Sequence, residues 1–90
     1  MTEATLNREH ADRLRTLVIA VLKLDIANHE IEDQTNLYDL GLESMSVVEL
    51  LTQVEMTFDI TIDVEDLSAE LFTRFDVFLD FIEQKIDESR

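Results

Sequence analysis

The chain has 90 residues with 46% hydrophobic side chains, one Gly, no Pro and no Cys. That is enough apolar mass for one small core, too much for a disordered tail, and too few turn residues for a many-stranded β-fold. Seven Lys and Arg against 21 Asp and Glu leave a net charge of −14, which repels nucleic acid and anionic membranes.

The charges are unevenly placed. Residues 1–24 hold four bases and three acids, residues 25–73 hold thirteen acids and no Lys or Arg, and the remainder holds five acids and three bases. A solvated surface ordinarily mixes both signs. The acidic stretch therefore reads either as a docking surface for basic partners or as a device for solubility.

The first predicted helix runs over about 6–24, where Leu14, Leu17, Val18, Val21 and Leu22 form one apolar stripe. Asn7 is its candidate N-cap, with Glu9 and Asp12 toward the positive helix end and Lys23 toward the negative one. From Asp25 to Glu43 the periodicity fades into a long polar loop, with Ile26, Ile31 and the cluster Leu37–Leu40 as candidate anchors. Gly41, the only glycine, marks a sharp turn just ahead of the next periodic run.

A second helix is predicted over about 44–57. Val47, Leu50, Leu51, Val54 and Phe58 form its inward stripe, while Met45, Val48, Glu49, Thr52, Glu55 and Met56 lie on the opposite side. The run Phe58, Ile60, Ile62, Val64 alternates with period two. A lone strand has nothing to pair with, so the run reads as an extended connection with its apolar residues turned inward. A short helix is predicted over about 65–71. A last helix over about 74–88 carries the stripe Phe75, Phe78, Leu79, Ile82 and Ile86, with Thr73 and Asp76 as a candidate capping box. The chain reads as all-α: three longer helices, one short helix and a long first loop, forming a single domain over 1–90.

Catalytic chemistry is sparse. A serine nucleophile needs a base within hydrogen-bond reach, and the only histidines, His10 and His29, are remote from Ser44 in sequence. The acids Asp59, Asp63, Glu65 and Asp66 cluster without the glycine or spacing of an EF-hand loop, and the missing Cys removes disulfides and thiolate metal sites. No enzyme and no metal site are expected. No apolar run reaches the ~18–20 residues that span a bilayer, and residues 1–8 lack a signal peptide's apolar stretch, so the expected location is cytoplasmic. Ser44 is either a plain N-cap or a hydroxyl placed to carry a phosphoester, because a helix N-terminus favours negative charge.

Residues 36–51, NLYDLGLESMSVVELL, bring a resemblance into view. With Leu37, Leu40, Gly41, Leu42, Ser44, Met45, Val48, Glu49 and Leu50 in register, the run resembles the attachment motif of the acyl and peptidyl carrier proteins. The resemblance continues through Phe58–Ile62 and Val64–Ser68 and covers about residues 6–86. It implies the four-helix carrier-protein bundle, with Ser44 esterified by a phosphopantetheinyl transferase with 4′-phosphopantetheine from coenzyme A. The arm's thiol would carry cargo as a thioester in fatty-acid-like, polyketide or nonribosomal peptide biosynthesis. Glu43, Met45, Val48, Glu49, Thr52, Glu55 and Met56 would meet the basic docking surfaces of loading and processing enzymes.

Four positions depart from the family pattern. Glu43 stands where the family usually has Asp, Asp63 where many members have Pro, and Thr52 and Met56 where fatty-acid carriers have an apolar and an acidic residue. A free-standing monomeric carrier, with neither nucleic acid nor membrane as partner, is the reading these observations favour. The alternative is an unmodified acidic helical adaptor that binds a basic protein.

Overall fold

The computed structural model describes residues 3–89, with side chains from Arg8 onward except that of Val64. Three α-helices, α1 (Glu3–Leu22), α2 (Ser44–Phe58) and α3 (Phe75–Glu88), are joined by segments holding short 3₁₀ turns at Asn28–Glu30, Leu37–Leu40, Val64–Asp66 and Ala69–Phe72. There is no strand among the described residues. Helix α1 packs on both α2 and α3, because its stripe at 3- and 4-residue spacing is wide enough to face two neighbours.

The core follows the predicted stripes. Leu14 and Val18 of α1, Leu50 and Val54 of α2, and Phe75, Phe78 and Ile82 of α3 are fully buried. Leu17, Leu22, Val47, Leu51, Phe58, Leu79 and Ile86 pack against them half-buried. Ile31 and Leu37 are also fully buried and pin the long first loop, while Ile26 and Leu40 pack partly buried against the core.

Helix ends differ from the sequence expectations. The first helix is already helical at Glu3, so Asn7 lies in its interior and cannot cap it; a cap residue has non-helical dihedrals. It stops at Leu22 rather than at residue 24 because Lys23 turns left-handed, φ 55°. Leu24 N–H then donates back to Ile19 O at 3.0 Å, a Schellman-like closure.

The predicted capping box at Thr73 and Asp76 does not form. The N-cap of α3 is Arg74, with no side-chain capping bond, and Thr73 Oγ1 donates to Glu70 O instead. The first amides of α3 reach across the molecule: Phe75 N–H donates to Thr35 O and Asp76 N–H to Asp33 O, both at 2.8 Å. Loop carbonyls thus satisfy the orphan donors that a side chain was expected to cap. The Arg74 guanidinium lies against the Asp76 carboxylate and holds it below its usual pKa.

The short helix expected over 65–71 is two 3₁₀ turns, separated at Leu67 and Ser68. Ser68 is extended, φ −145° and ψ 158°, which breaks any α-helical run. Leu71 and Phe72 of the second turn are both buried. Lys85 Nζ donates to Asp66 at 2.7 Å, tying the first turn to α3 and holding the Asp66 carboxyl below its usual range. Of the run expected as an inward-facing connection, Phe58 closes α2 and Val64 begins a 3₁₀ turn; between them Ile60 is buried and Ile62 packs half-buried on the core.

Arg15 binds three parts of the fold together. Its Nε donates to Ile31 O at 2.7 Å, its guanidinium lies 4.7 Å from the Phe75 ring centre, and it pairs with Asp12 and Asp33. Arg15→Ala removes the donor from a buried carbonyl and the cation from the ring. The expected loss is about 2–3 kcal/mol of unfolding free energy, measured by urea titration. Arg15→Lys recovers only part of it, since an ammonium cannot reproduce the planar fork.

Candidate functional site

The approach to α2 is set by one residue. Gly41 has φ 104° and ψ 14° and ends the Leu37–Leu40 turn, its N–H bonded to Leu37 O and Tyr38 O. A Cβ there would meet nothing within 4 Å, so space does not select glycine; the backbone conformation does. Gly41→Ala is expected to cost about 1–2 kcal/mol through strain alone, read as a lower midpoint in thermal unfolding with no change in the folded helix content.

Beyond Gly41 the chain turns Leu42 inward and Glu43 and Ser44 outward. Leu42 is 5% exposed and fixed in the core, and its N–H donates to Leu37 O at 3.3 Å. Glu43 is extended, φ −140° and ψ 178°, and occupies the N-cap position with no side-chain capping bond. Ser44 is the first residue of α2 and is exposed. It is not the N-cap, and among the described residues its hydroxyl makes no hydrogen bond. The first helical bond of α2 runs from Val47 N–H to Glu43 O at 2.8 Å. The amides of Ser44, Met45 and Ser46 therefore stand at the open end of the helix, where the dipole favours an anion by roughly 0.3–1 kcal/mol.

Ser44 opens onto a groove of about 390 Å³ lined mainly by Tyr38, Val47, Leu67, Ala69 and Phe72, with Ser68 at its rim. No histidine or carboxylate lines it. Tyr38 Oη donates to Ala69 O at 2.8 Å across the groove, and its ring meets the edge of Phe72 with centres 6.2 Å apart. Phe72 in turn packs on Phe78 at 5.1 Å. Tyr38 is the site residue that sequence reasoning left as a mere loop anchor. Its contact with Ala69 spans 31 positions, and the only hint was its being the sole tyrosine.

The two histidines lie elsewhere. His10 Nδ1 is 3.2 Å from Glu83 Oε2 and its ring edge meets Phe58, so it joins α1 to the other two helices. His29 lines a larger polar cavity of about 690 Å³ with Asp12, Arg15 and Asp33, which shares no residue with the Ser44 groove.

The outer face of α2 is open. Met45, Val48 and Met56 are 82%, 66% and 72% exposed, and Glu43, Glu49 and Thr52 are exposed beside them. Two members of the predicted docking set are also engaged within the fold. Glu55 Oε2 accepts the Ile62 N–H at 2.8 Å and so fastens the extended connection. Thr52 Oγ1 donates to Val48 O.

A free hydroxyl on an uncapped helix start, beside an apolar groove, fits a phosphoester whose organic arm lies along the surface. Residues 12–73 match the PP-binding family, the phosphopantetheine attachment site. The chain is 33% identical over 66 residues to aminoacyl carrier protein 1 of Bradyrhizobium diazoefficiens, covering 73% of each. It is 31% identical over 61 residues to aminoacyl carrier protein 2 of the same organism, covering 68% of each. The solution structure of a holo acyl carrier protein from Nitrosomonas europaea superimposes with a TM-score of 0.78 at 29% identity, covering 87% of this chain and 96% of that one. The fold is that of a carrier protein. The chain belongs to the phosphopantetheine-attachment family, and its cofactor is covalently attached 4′-phosphopantetheine.

Proposed function

We propose that Ser44 is the residue that bears the arm and that the protein is a noncatalytic cytoplasmic carrier presenting thioester-bound intermediates to biosynthetic enzymes. The observation that carries this reading is the Ser44 hydroxyl itself: exposed, with no capping role, at the open amides of α2 and inside the matched span. When bound, the arm supplies the thiol chemistry that a chain without Cys lacks. The chain's own residues do the rest. Gly41 and Leu42 hold Ser44 outward, the α2 amides face the phosphate, and the groove offers no base that would hydrolyse a thioester.

The open face of α2 is the docking surface we infer, with Met45, Val48 and Met56 as its apolar centre and Glu43 and Glu49 as its charged flanks. Its partners are a phosphopantetheinyl transferase and loading and processing enzymes whose basic patches are steered toward the acidic stretch. The names of the two Bradyrhizobium relatives favour an aminoacyl cargo. The test is an intact mass after incubation with coenzyme A and a broad-specificity transferase, followed by peptide mapping. One phosphopantetheinyl group on the Ser44 peptide is expected; an unmodified mass on folded protein would overturn the assignment.

A further inference from the structure

A groove beside the arm's anchor raises the question of whether cargo enters the core behind it. The way in is filled. Behind Ser44 the rings of Tyr38, Phe72 and Phe78 stand edge to face in sequence from the surface to the centre. Exposure falls along that ladder from 39% at Tyr38 to 3% at Phe72 and 0% at Phe78. The outermost ring is held in place by its hydroxyl, which donates to Ala69 O at 2.8 Å and so bridges the Leu37–Leu40 turn to the Ala69–Phe72 turn. An acyl chain moving inward from the groove would first have to break that bond and swing aside the Tyr38 ring that packs over Phe72.

We propose that Tyr38 is a specificity-determining gate that keeps cargo at the surface, so that the protein does not sequester alkyl chains. The proposal rests on the reading of Ser44 as the anchor. It adds a role for a residue that lines the Ser44 groove and lies outside the inferred docking set.

The test uses the full chain loaded through the transferase from three coenzyme A derivatives: one ending in an environment-sensitive naphthalene fluorophore, one octanoyl and one alanyl. Mass spectrometry first establishes loading. The wild-type fluorophore is expected to emit as it does in water, and the octanoyl and alanyl forms to unfold at the same temperature. In Tyr38→Ala the emission shifts to the blue and octanoylation raises the unfolding midpoint by more than about 5 °C. Tyr38→Phe keeps the ring and loses only the bond to Ala69, and lies between the two. It also serves as the test variant if Tyr38→Ala does not fold. A blue-shifted wild type, or one stabilised by the octanoyl arm, overturns the gate while leaving the carrier reading intact. A protein that takes up no arm at all overturns both.

Discussion

Ser44→Ala protein will keep its unmodified mass under conditions in which the wild type gains one phosphopantetheinyl group completely. The effect is all or none because no other hydroxyl among the described residues stands in the same geometry. Ser46 lies two residues further along α2, which turns it well away from Ser44 around the helix axis, and it is half-buried. Ser68 shares the groove but sits in an extended segment before a 3₁₀ turn, without the open amides of a long helix. Ser46→Ala and Ser68→Ala are therefore expected to load fully. Stability is the control that gives the result its meaning. Ser44 is exposed and makes no capping bond, so its replacement by Ala, a better helix former, is expected to leave the unfolding midpoint unchanged or slightly raised. A loaded Ser44→Ala protein, or a loss of loading in Ser68→Ala, would move the anchor away from Ser44.

The residues that sequence reading placed correctly are those governed by short-range rules. The stripes of α1, α2 and α3 follow a period of 3.6, and their members are the core. The turn into α2 was marked by the only glycine in the chain, and φ 104° there is a local backbone demand. Where the deciding contact is distant, the sequence is silent. Thr73 and Asp76 have the letters of a capping box, yet Thr35 and Asp33 from the first loop deliver carbonyls to the same amides. Glu55 belongs to the inferred docking set, and its carboxylate also holds the Ile62 amide once the chain bends back at Asp59, φ 56°, a second role that its position alone does not show. Tyr38 and Ala69 meet only when the two loops are folded against each other. The short helix expected over 65–71 is divided where Ser68 is extended, with a 3₁₀ turn on either side. At the start of α3 and at Tyr38 a tertiary contact overrides or supplements a locally reasonable pattern.

The docking proposed for α2 separates into two experiments because charged and apolar groups act on different rates. Glu43 and Glu49 are exposed on a chain of net charge −14, so their attraction for a basic enzyme operates before contact, over a Debye length of about 10 Å at 0.1 M salt. Reversing both to Lys is expected to lower the association rate with the transferase about 10- to 100-fold at low salt and to flatten its salt dependence. Met45, Val48 and Met56 are largely exposed, and their apolar surface gains free energy only on desolvation at close contact. Met45→Ala with Met56→Ala is expected to raise the dissociation rate about 10-fold while changing association less than about 3-fold. Neither pair supports the core, so unfolding midpoints should move little, and stopped-flow binding on folded protein measures both rates. Equal effects of the two double variants on association would mean that α2 is not the surface the partner meets first. No effect from either would place docking on another face of the molecule.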